Sequence, residues 1–298
     1  MKKRISEQRD HENTKGIIWL ASYPRSGNTW MRIALSYLTE KEWNPEDINS
    51  IPIVYATGRT LFDDVIGVES SDLADEQIEL LRPQVYEQMA GGLEEYLFCK
   101  IHDAWTLNSA GEPVLSANAT AGAIYIVRNP LDVAVSFAHF LGKDVEHVIR
   151  IMEDPGYIWY REKIRLIGQL PQRLLSWSGH VLSWIETAPI PVHVVRYEDM
   201  KERTVETFSG VVRFAGLKHS QAEIEGAIKA SSFERLQELE KKTGFREKPS
   251  TATSFFRKGV AGSWREALTD GQVKRIMRVH GAMMRRLGYL DEAGNLLC

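Results

Sequence analysis

Gly16-Ile-Ile-Trp-Leu-Ala-Ser-Tyr-Pro-Arg-Ser-Gly-Asn-Thr-Trp30 is the stretch from which the fold of this chain can be read. The apolar run up to Ala21 has the length of a buried strand, and Tyr23-Pro-Arg-Ser-Gly27 ends it with a turn signal. Trp30, Ile33, Ala34, Tyr37 and Leu38 then recur at helical spacing, so the unit is strand, loop, helix. Outward from it, Tyr96–Ile101, Gly122–Val127 and Pro191–Arg196 read as three further buried strands. Helices are predicted over 75–90, from Pro130 to Leu141, over 144–152, 172–187 and 269–287; Pro130 suits a first helical position. Residues 43–73 lack a steady period, carry Pro45, Pro52, Gly58 and Gly67, and are expected to be mostly loop. Residues 105–121 are turn-rich, and Lys241–Thr253 reads as a mobile loop. Buried strands alternating with helices predict an α/β fold with a central parallel sheet flanked by helices. No internal repeat or low-complexity linker divides it, so one domain is expected over 16–298, behind a flexible tail of residues 1–15.

Composition narrows the function classes. The 298 residues are 43% hydrophobic and 26% charged, which excludes a disordered, collagenous or coiled-coil chain. A net charge of −3 supplies no global attraction to nucleic acid or an anionic membrane, so any anion binding must be local. Two cysteines, Cys99 and Cys298, build neither a disulfide framework nor a tetrathiolate zinc site. No apolar run long enough for a signal peptide or membrane span follows the basic start, which points to the cytoplasm.

Four motifs carry chemistry. In Tyr23-Pro-Arg-Ser-Gly-Asn-Thr-Trp30, Gly27 lets backbone N–H groups approach an anion at a helix N-terminus, with Ser26, Asn28 and Thr29 as donors and Arg25 as a forked cation. Helix capping by Ser26 or Asn28 is the alternative use. The order of residues is not that of a Walker loop, which needs Gly-Lys-Ser/Thr, and Trp30 stands where a purine could stack. In Lys100-Ile-His-Asp103, strand alternation puts Lys100 and His102 on one face, with His102 suited to general-base work and Cys99 turned away from any metal set. Strand-ending Arg128 and helix-borne Ser136 make a second phosphate site, unless Arg128 simply pairs with Asp132 four residues on. In Phe255-Phe-Arg-Lys-Gly-Val-Ala-Gly-Ser-Trp264, adjacent cations beside two glycines form an anion clamp or a solvated turn. Strand ends Ser22–Arg25, His102, Arg128 and Tyr197 would fall together at the carboxyl edge of a parallel sheet, where ligands bind.

The ordered set resembles the cytosolic-type sulfotransferases that use 3′-phosphoadenosine 5′-phosphosulfate (PAPS), from about Ile17 to Leu290. The resemblance implies a P-loop-like sulfotransferase fold and a sulfuryl transfer by in-line attack on PAPS, giving 3′-phosphoadenosine 5′-phosphate (PAP), with no metal required. It assigns the 5′-phosphosulfate to Arg25, Ser26, Gly27, Asn28 and Thr29, and adenine to Trp30, Tyr197 and Phe233. The 3′-phosphate falls to Arg128 and Ser136 together with Arg257, Lys258 and Gly259. His102 is the implied catalytic base; Lys100 and Arg25 stabilise the transferring group, and Ser136 sits near the leaving side.

Several departures stand out. Arg25 replaces the lysine of the animal enzymes, Asn28 a common Thr, Asp103-Ala104 a Leu-Pro, and Ser263 and Arg265 an Asp and a Lys. The animal dimer motif survives only as Arg265, Thr269-Asp270 and Lys274, so a homodimer would not form through it. The acceptor is expected to be a small molecule, apolar or aromatic, held by residues 43–73, Trp105, Phe140 and 154–160, and the 241–254 loop is expected to close over PAPS. A P-loop kinase or NTPase and a non-catalytic nucleotide binder are the competing readings. The former predicts Mg²⁺-dependent ATP binding and the latter PAP binding without turnover.

Overall fold

The computed structural model describes residues 15–161 and 168–297. The tail expected over 1–15 falls outside these residues but for Lys15, as does Cys298. Strand β1 (Ile17–Ser22) is the middle of a five-stranded sheet completed by β2 (Val54–Tyr55), β3 (Leu97–Ile101), β4 (Thr120–Val127) and β7 (Val192–Arg196). The order is β2-β3-β1-β4-β7 and every pairing is parallel. The order reverses about β1, so the strand ends open a crevice beside it.

Alternation assigns each strand residue to a face. Ile17, Trp19, Ala21, Cys99, Ile101, Ala123, Tyr125 and Val127 belong to one core cluster, and Ile18, Leu20, Phe98, Ile124, Ile126 and Val195 to the other. Both faces of β1, β3 and β4 are therefore dry, which is why these strands read as continuous apolar runs rather than alternating ones. Pro191–Arg196, expected to be a buried strand as well, instead forms β7 at the sheet edge with Val194 exposed. One layer includes α1 (Asn28–Thr39), α8 (Thr204–Phe214) and α9 (Gln221–Ala230) through Met31, Leu35, Phe208 and Ile224. The other includes α3 (Asp75–Ala90), α4 (Pro130–Leu141), α5 (Val145–Glu153), α6 (Trp177–Leu182) and α11 (Asp270–Arg286). Full burial of an aliphatic side chain such as Leu20 or Ile124 contributes about 1.5–3 kcal/mol.

Helix boundaries follow local chemistry. Helix α4 starts where the Asn129 side chain accepts from Leu131 N with Pro130 next in line, and ends at Gly142 (φ 63°). Thr269 and Gln272 form a capping box on α11. Residues 43–73 are mostly loop as expected, but α2 (Arg59–Ile66) lies within them, and Gly58 and Gly67, read as breakers, are its two caps. The predicted helix over 172–187 begins only at Trp177, capped by Ser176 and continued by one turn of π-helix (Ser183–Thr187), because Gln172–Arg173 form strand β6. That strand pairs antiparallel with β5 (Ile158–Trp159) in a ribbon outside the main sheet. Helices α7 (Tyr197–Glu202) and α10 (Phe233–Thr243) complete the set, and an irregular segment follows α10 to Gly262. Among the described residues no helix is long and apolar enough to cross a membrane.

Candidate active site

The carboxyl ends of β1, β3, β4 and β7 and the segment after α10 enclose a cavity of about 930 Å³. Arg25, Gly27, Asn28, Thr29, Trp30, Lys100, His102, Arg128, Ser136, Tyr197, Phe233, Arg257, Lys258 and Gly259 all line it. Ser26 does not; it is fully buried beneath the loop, with its Oγ unpartnered.

Two glycines are dictated by close approach. Gly27 has φ 101°, and a Cβ there would sit 2.7 Å from the Tyr197 ring. Gly259 has φ 63°, and a Cβ there would sit 2.3 Å from Phe233. In each place a backbone turn lies flat on an aromatic ring at the cavity wall, the backbone cradle that an anion and a nucleobase need. Neither Ser26 nor Asn28 caps α1; Gly27 holds the cap position and no side chain bonds there. The Asn28 amide turns back to donate to Leu20 O (2.8 Å) and Ser22 Oγ (3.2 Å), pinning the loop to the strand it leaves. The helix N–H groups stay available to a ligand.

The cations are held without being neutralised. Arg25, in a left-handed backbone conformation (φ 68°), lies against the rings of Phe140 (4.9 Å) and Phe255 (4.5 Å), which meet each other edge-on at 6.3 Å. It donates to Ser136 Oγ (3.2 Å) and Phe255 O (3.1 Å). Burial first, then Arg128 and Arg257, lower it to about 10. Arg128 lies over the Tyr197 ring (4.3 Å) and donates to Arg25 O and Val260 O, leaving its Nε unpartnered. The pairing of Arg128 with Asp132 considered above is not made. Asp132 instead accepts from Gly262 N (2.7 Å), Ser263 Oγ (3.0 Å) and Trp264 N (3.1 Å). Glu240 does the same upstream, accepting from Phe255 N and Phe256 N. The Arg257–Gly259 turn is thus strung between two carboxylates that bind its backbone. Lys258 is exposed and pairs with Glu266 (2.9 Å).

His102 donates from Nδ1 to Ser22 O at 2.7 Å; a carbonyl only accepts, so the proton resides on Nδ1 and Nε2 keeps its lone pair. Burial and the Lys100 charge hold the imidazole well below its ordinary proton affinity, so it is neutral at pH 7. Its own carbonyl accepts from His180 Nε2 (3.0 Å), whose Nδ1 accepts from Tyr125 OH (2.8 Å). Lys100 donates to Tyr55 OH at 2.7 Å and lies 3.4 Å from the Glu247 carboxylate.

Trp30 is half-buried, donates to Ser231 Oγ and packs edge-on to Tyr197. Phe140, Tyr157, Trp159 and Tyr160 also line the cavity, with Trp159 stacked on Tyr160 (4.2 Å) and tilted against His102 (5.5 Å). Trp105, expected here, is not part of this wall; it is buried against Trp184. The 241–253 segment is anchored rather than loose: Phe245 is buried, and Glu247 pairs with Arg32 and Lys100. Asp132 was read only as a partner for Arg128, and Glu247, Glu240, Tyr55 and His180 were not singled out from sequence. Only His180 left a local signal there, a polar residue in the apolar stripe with Trp177 and Trp184.

A switch-point crevice, a glycine-bearing loop at a helix N-terminus and arginines held on aromatic faces define an α/β protein with a cleft suited to an anion. Residues 15–288 match the sulfotransferase domain family, and the chain belongs to it. It is a sulfotransferase by family and therefore an enzyme that moves sulfuryl groups. It is 27% identical to flavonol 3-sulfotransferase of Flaveria bidentis over 288 residues, 91% of this chain and 82% of that one. It is 26% identical to sulfotransferase 2A6 of Rattus norvegicus over 272 residues, 87% and 81% of the two. A mouse sulfotransferase complexed with PAP shares the fold with a TM-score of 0.57 at 22% identity, covering 92% of this chain and 84% of that one. Retinol dehydratase complexed with androsterone and PAP gives 0.59 at 22% identity, covering 90% and 80%.

Proposed function

We propose that this enzyme transfers the sulfuryl group of PAPS to a hydroxyl, or an amine, of a small apolar or aromatic acceptor. The observation that carries the reading is the set of cations at one end of the cavity: Arg128 is buried and Arg25 half-buried on aromatic faces and carbonyl oxygens, with no carboxylate partner among the described residues, and Arg257 stands beside them. Such a set fits a ligand with more than one anionic group. The glycine cradles at Gly27 and Gly259 and the unpartnered Arg128 Nε fit the same ligand.

Arg25, Lys100 and the N–H groups of residues 27–29 would hold the 5′ end, and Arg128, Ser136 and Arg257–Gly259 the 3′-phosphate. Trp30, Tyr197 and Phe233 would hold the base. PAPS, when bound, supplies the sulfuryl group and a phosphate leaving group. His102 Nε2 takes the proton of the attacking acceptor, which its neutral state and Nδ1 anchoring prepare it to do. The preorganised cations stabilise charge developing on the transferred group. The aromatic wall of Phe140, Tyr157, Trp159 and Tyr160 beside His102 favours a flat acceptor.

Calorimetric titration with PAP, against ATP and ADP with and without Mg²⁺, tests the donor. A panel of flavonols, simple phenols, hydroxysteroids and amines with PAPS tests the acceptor. Binding of PAP that needs no metal, with turnover on a phenol, is the expected result. Mg²⁺-dependent ATP binding without preference for PAP would overturn it in favour of a kinase-like enzyme, and PAP binding with no turnover across the panel would favour a non-catalytic binder.

A further inference from the structure

Glu247 is a carboxylate inside a site otherwise built from cations. It reaches the cavity from the segment after α10 and is ion-paired to both Arg32 of α1 and Lys100 of β3. Arg32 is buried, does not line the cavity, and lies over the Tyr55 ring at 5.0 Å. Its placement gives it no access to a ligand; the group it holds is Glu247. Lys100 is the cavity-lining member, 4% exposed, donating to Tyr55 OH.

We infer that Glu247 is a positioning residue for sulfuryl transfer: braced by Arg32, its carboxylate keeps the Lys100 ammonium charged and aimed into the cavity. This rests on the function proposed above. The groups that face Lys100 come from every side. Arg32 on α1, Arg25 after β1 and His102 beyond β3 disfavour its charge or offer it none, Tyr55 on β2 accepts its hydrogen bond, and among the described residues Glu247 alone is an anion. Burial, with Arg32 and Arg25 adding to it, brings Lys100 down to about 7 even against the pull of Glu247. Although burial works against the carboxylate, Lys100 and Arg32 hold Glu247 down to about 2, so it is charged wherever the enzyme would work. Without that anion Lys100 would shed its proton, and a neutral amine has no charge to place against the transferred group. A purely structural Glu247, tying the segment to α1 through Arg32, would leave the Lys100 titration where it is.

The test is direct titration of Lys100 by NMR of the full chain carrying lysine labelled with ¹³C at Cε, assigned with Lys100→Met. In Glu247→Gln the midpoint is expected to fall so that the ammonium-to-amine ratio at pH 7 drops at least about tenfold, as removal of an anion in contact requires. Turnover of PAPS with a phenol should fall about tenfold at pH 7.5 and recover in large part at pH 6, with the KM for PAPS changed less than kcat. Arg32→Met should move the midpoint the opposite way, because it frees Glu247 for Lys100 alone, and it serves as the test if Glu247→Gln does not fold. A midpoint unmoved by either folded variant overturns the inference while leaving the sulfuryl-transfer reading intact. Failure of the wild-type chain to bind PAP would remove that reading while the titration result stood.

Discussion

Arg25→Lys conserves charge and restores the residue of the animal enzymes, yet it should cripple this protein. The planar guanidinium is clasped by Phe140 and Phe255 at 4.9 and 4.5 Å and spans Ser136 Oγ and Phe255 O with two of its nitrogens. A single ammonium cannot face both rings and both acceptors with that fork geometry. Loss of one charge-assisted hydrogen bond and part of a cation–π contact within the protein costs about 2–4 kcal/mol of stability. Loss of one charge-assisted hydrogen bond to the bound anion costs about 1.5–3 kcal/mol more, roughly 10- to 150-fold in affinity. The left-handed backbone at Arg25 (φ 68°) is the same for either side chain and adds nothing to the difference. The assay is kcat/KM for PAPS with a fixed phenol, alongside PAP affinity by calorimetry and the thermal midpoint. The expected outcome is a fall in both functional measures together with a lowered thermal midpoint. A variant within threefold of wild type would show that the aromatic clasp is incidental and that charge alone matters at this position.

Other expectations follow from the same geometry. His102→Ala should reduce kcat by about 10²–10⁴-fold with PAP affinity retained; near wild-type turnover would remove His102 as the base. Because burial and Lys100 hold the imidazole well below 6.5, kcat/KM should show no acid limb at or above pH 6.5, and such a limb would contradict the assignment. Arg257→Ala should weaken PAP more than adenosine 5′-phosphosulfate, whereas equal losses measured by calorimetry would take Arg257 away from the 3′-phosphate. Asp103→Ala leaves the Arg82 guanidinium, 1% exposed, without its ion pair and should cost about 3–5 kcal/mol in urea unfolding; a loss under about 1 kcal/mol would mean that water reaches Arg82.

What could be read from sequence was whatever a local pattern encodes. The strands buried on both faces announce themselves as apolar runs, and α4 is bracketed by Pro130 and Gly142 as cap chemistry requires. The convergence of Arg25, Lys100, His102 and Arg128 followed from one rule, that parallel strands present their carboxyl ends together. Elements with too few residues to show a period were missed. β2 and β5 have two residues each, and α2 has eight with only Phe62 buried. The carboxylates of the site were missed for a different reason. Asp132 meets Ser263 across 131 positions and Glu247 meets Arg32 across 215, and no spacing rule reaches that far. Worse, Asp132 lies four residues after Arg128, where a local rule supplies a partner that the folded chain does not use.

That misreading exposes how the site keeps its charge. A carboxylate in contact with Arg128 or Arg25 would stabilise the empty protein and compete directly with an anionic ligand. Instead the acids work one step removed: Asp132 and Glu240 accept from backbone N–H groups and fix the turn that carries Arg257. The cations are meanwhile held by aromatic faces and carbonyl oxygens, which orient a guanidinium without cancelling it. The residual repulsion is visible in Arg25, which burial, Arg128 and Arg257 lower to about 10. Binding of a multiply charged anion relieves that repulsion, so the same arrangement that strains the empty site adds to the affinity of the filled one. Glu247 stands apart because it pairs with Arg32, a cation with no place in the cavity, and with Lys100, while Arg25, Arg128 and Arg257 form no ion pair with a carboxylate among the described residues.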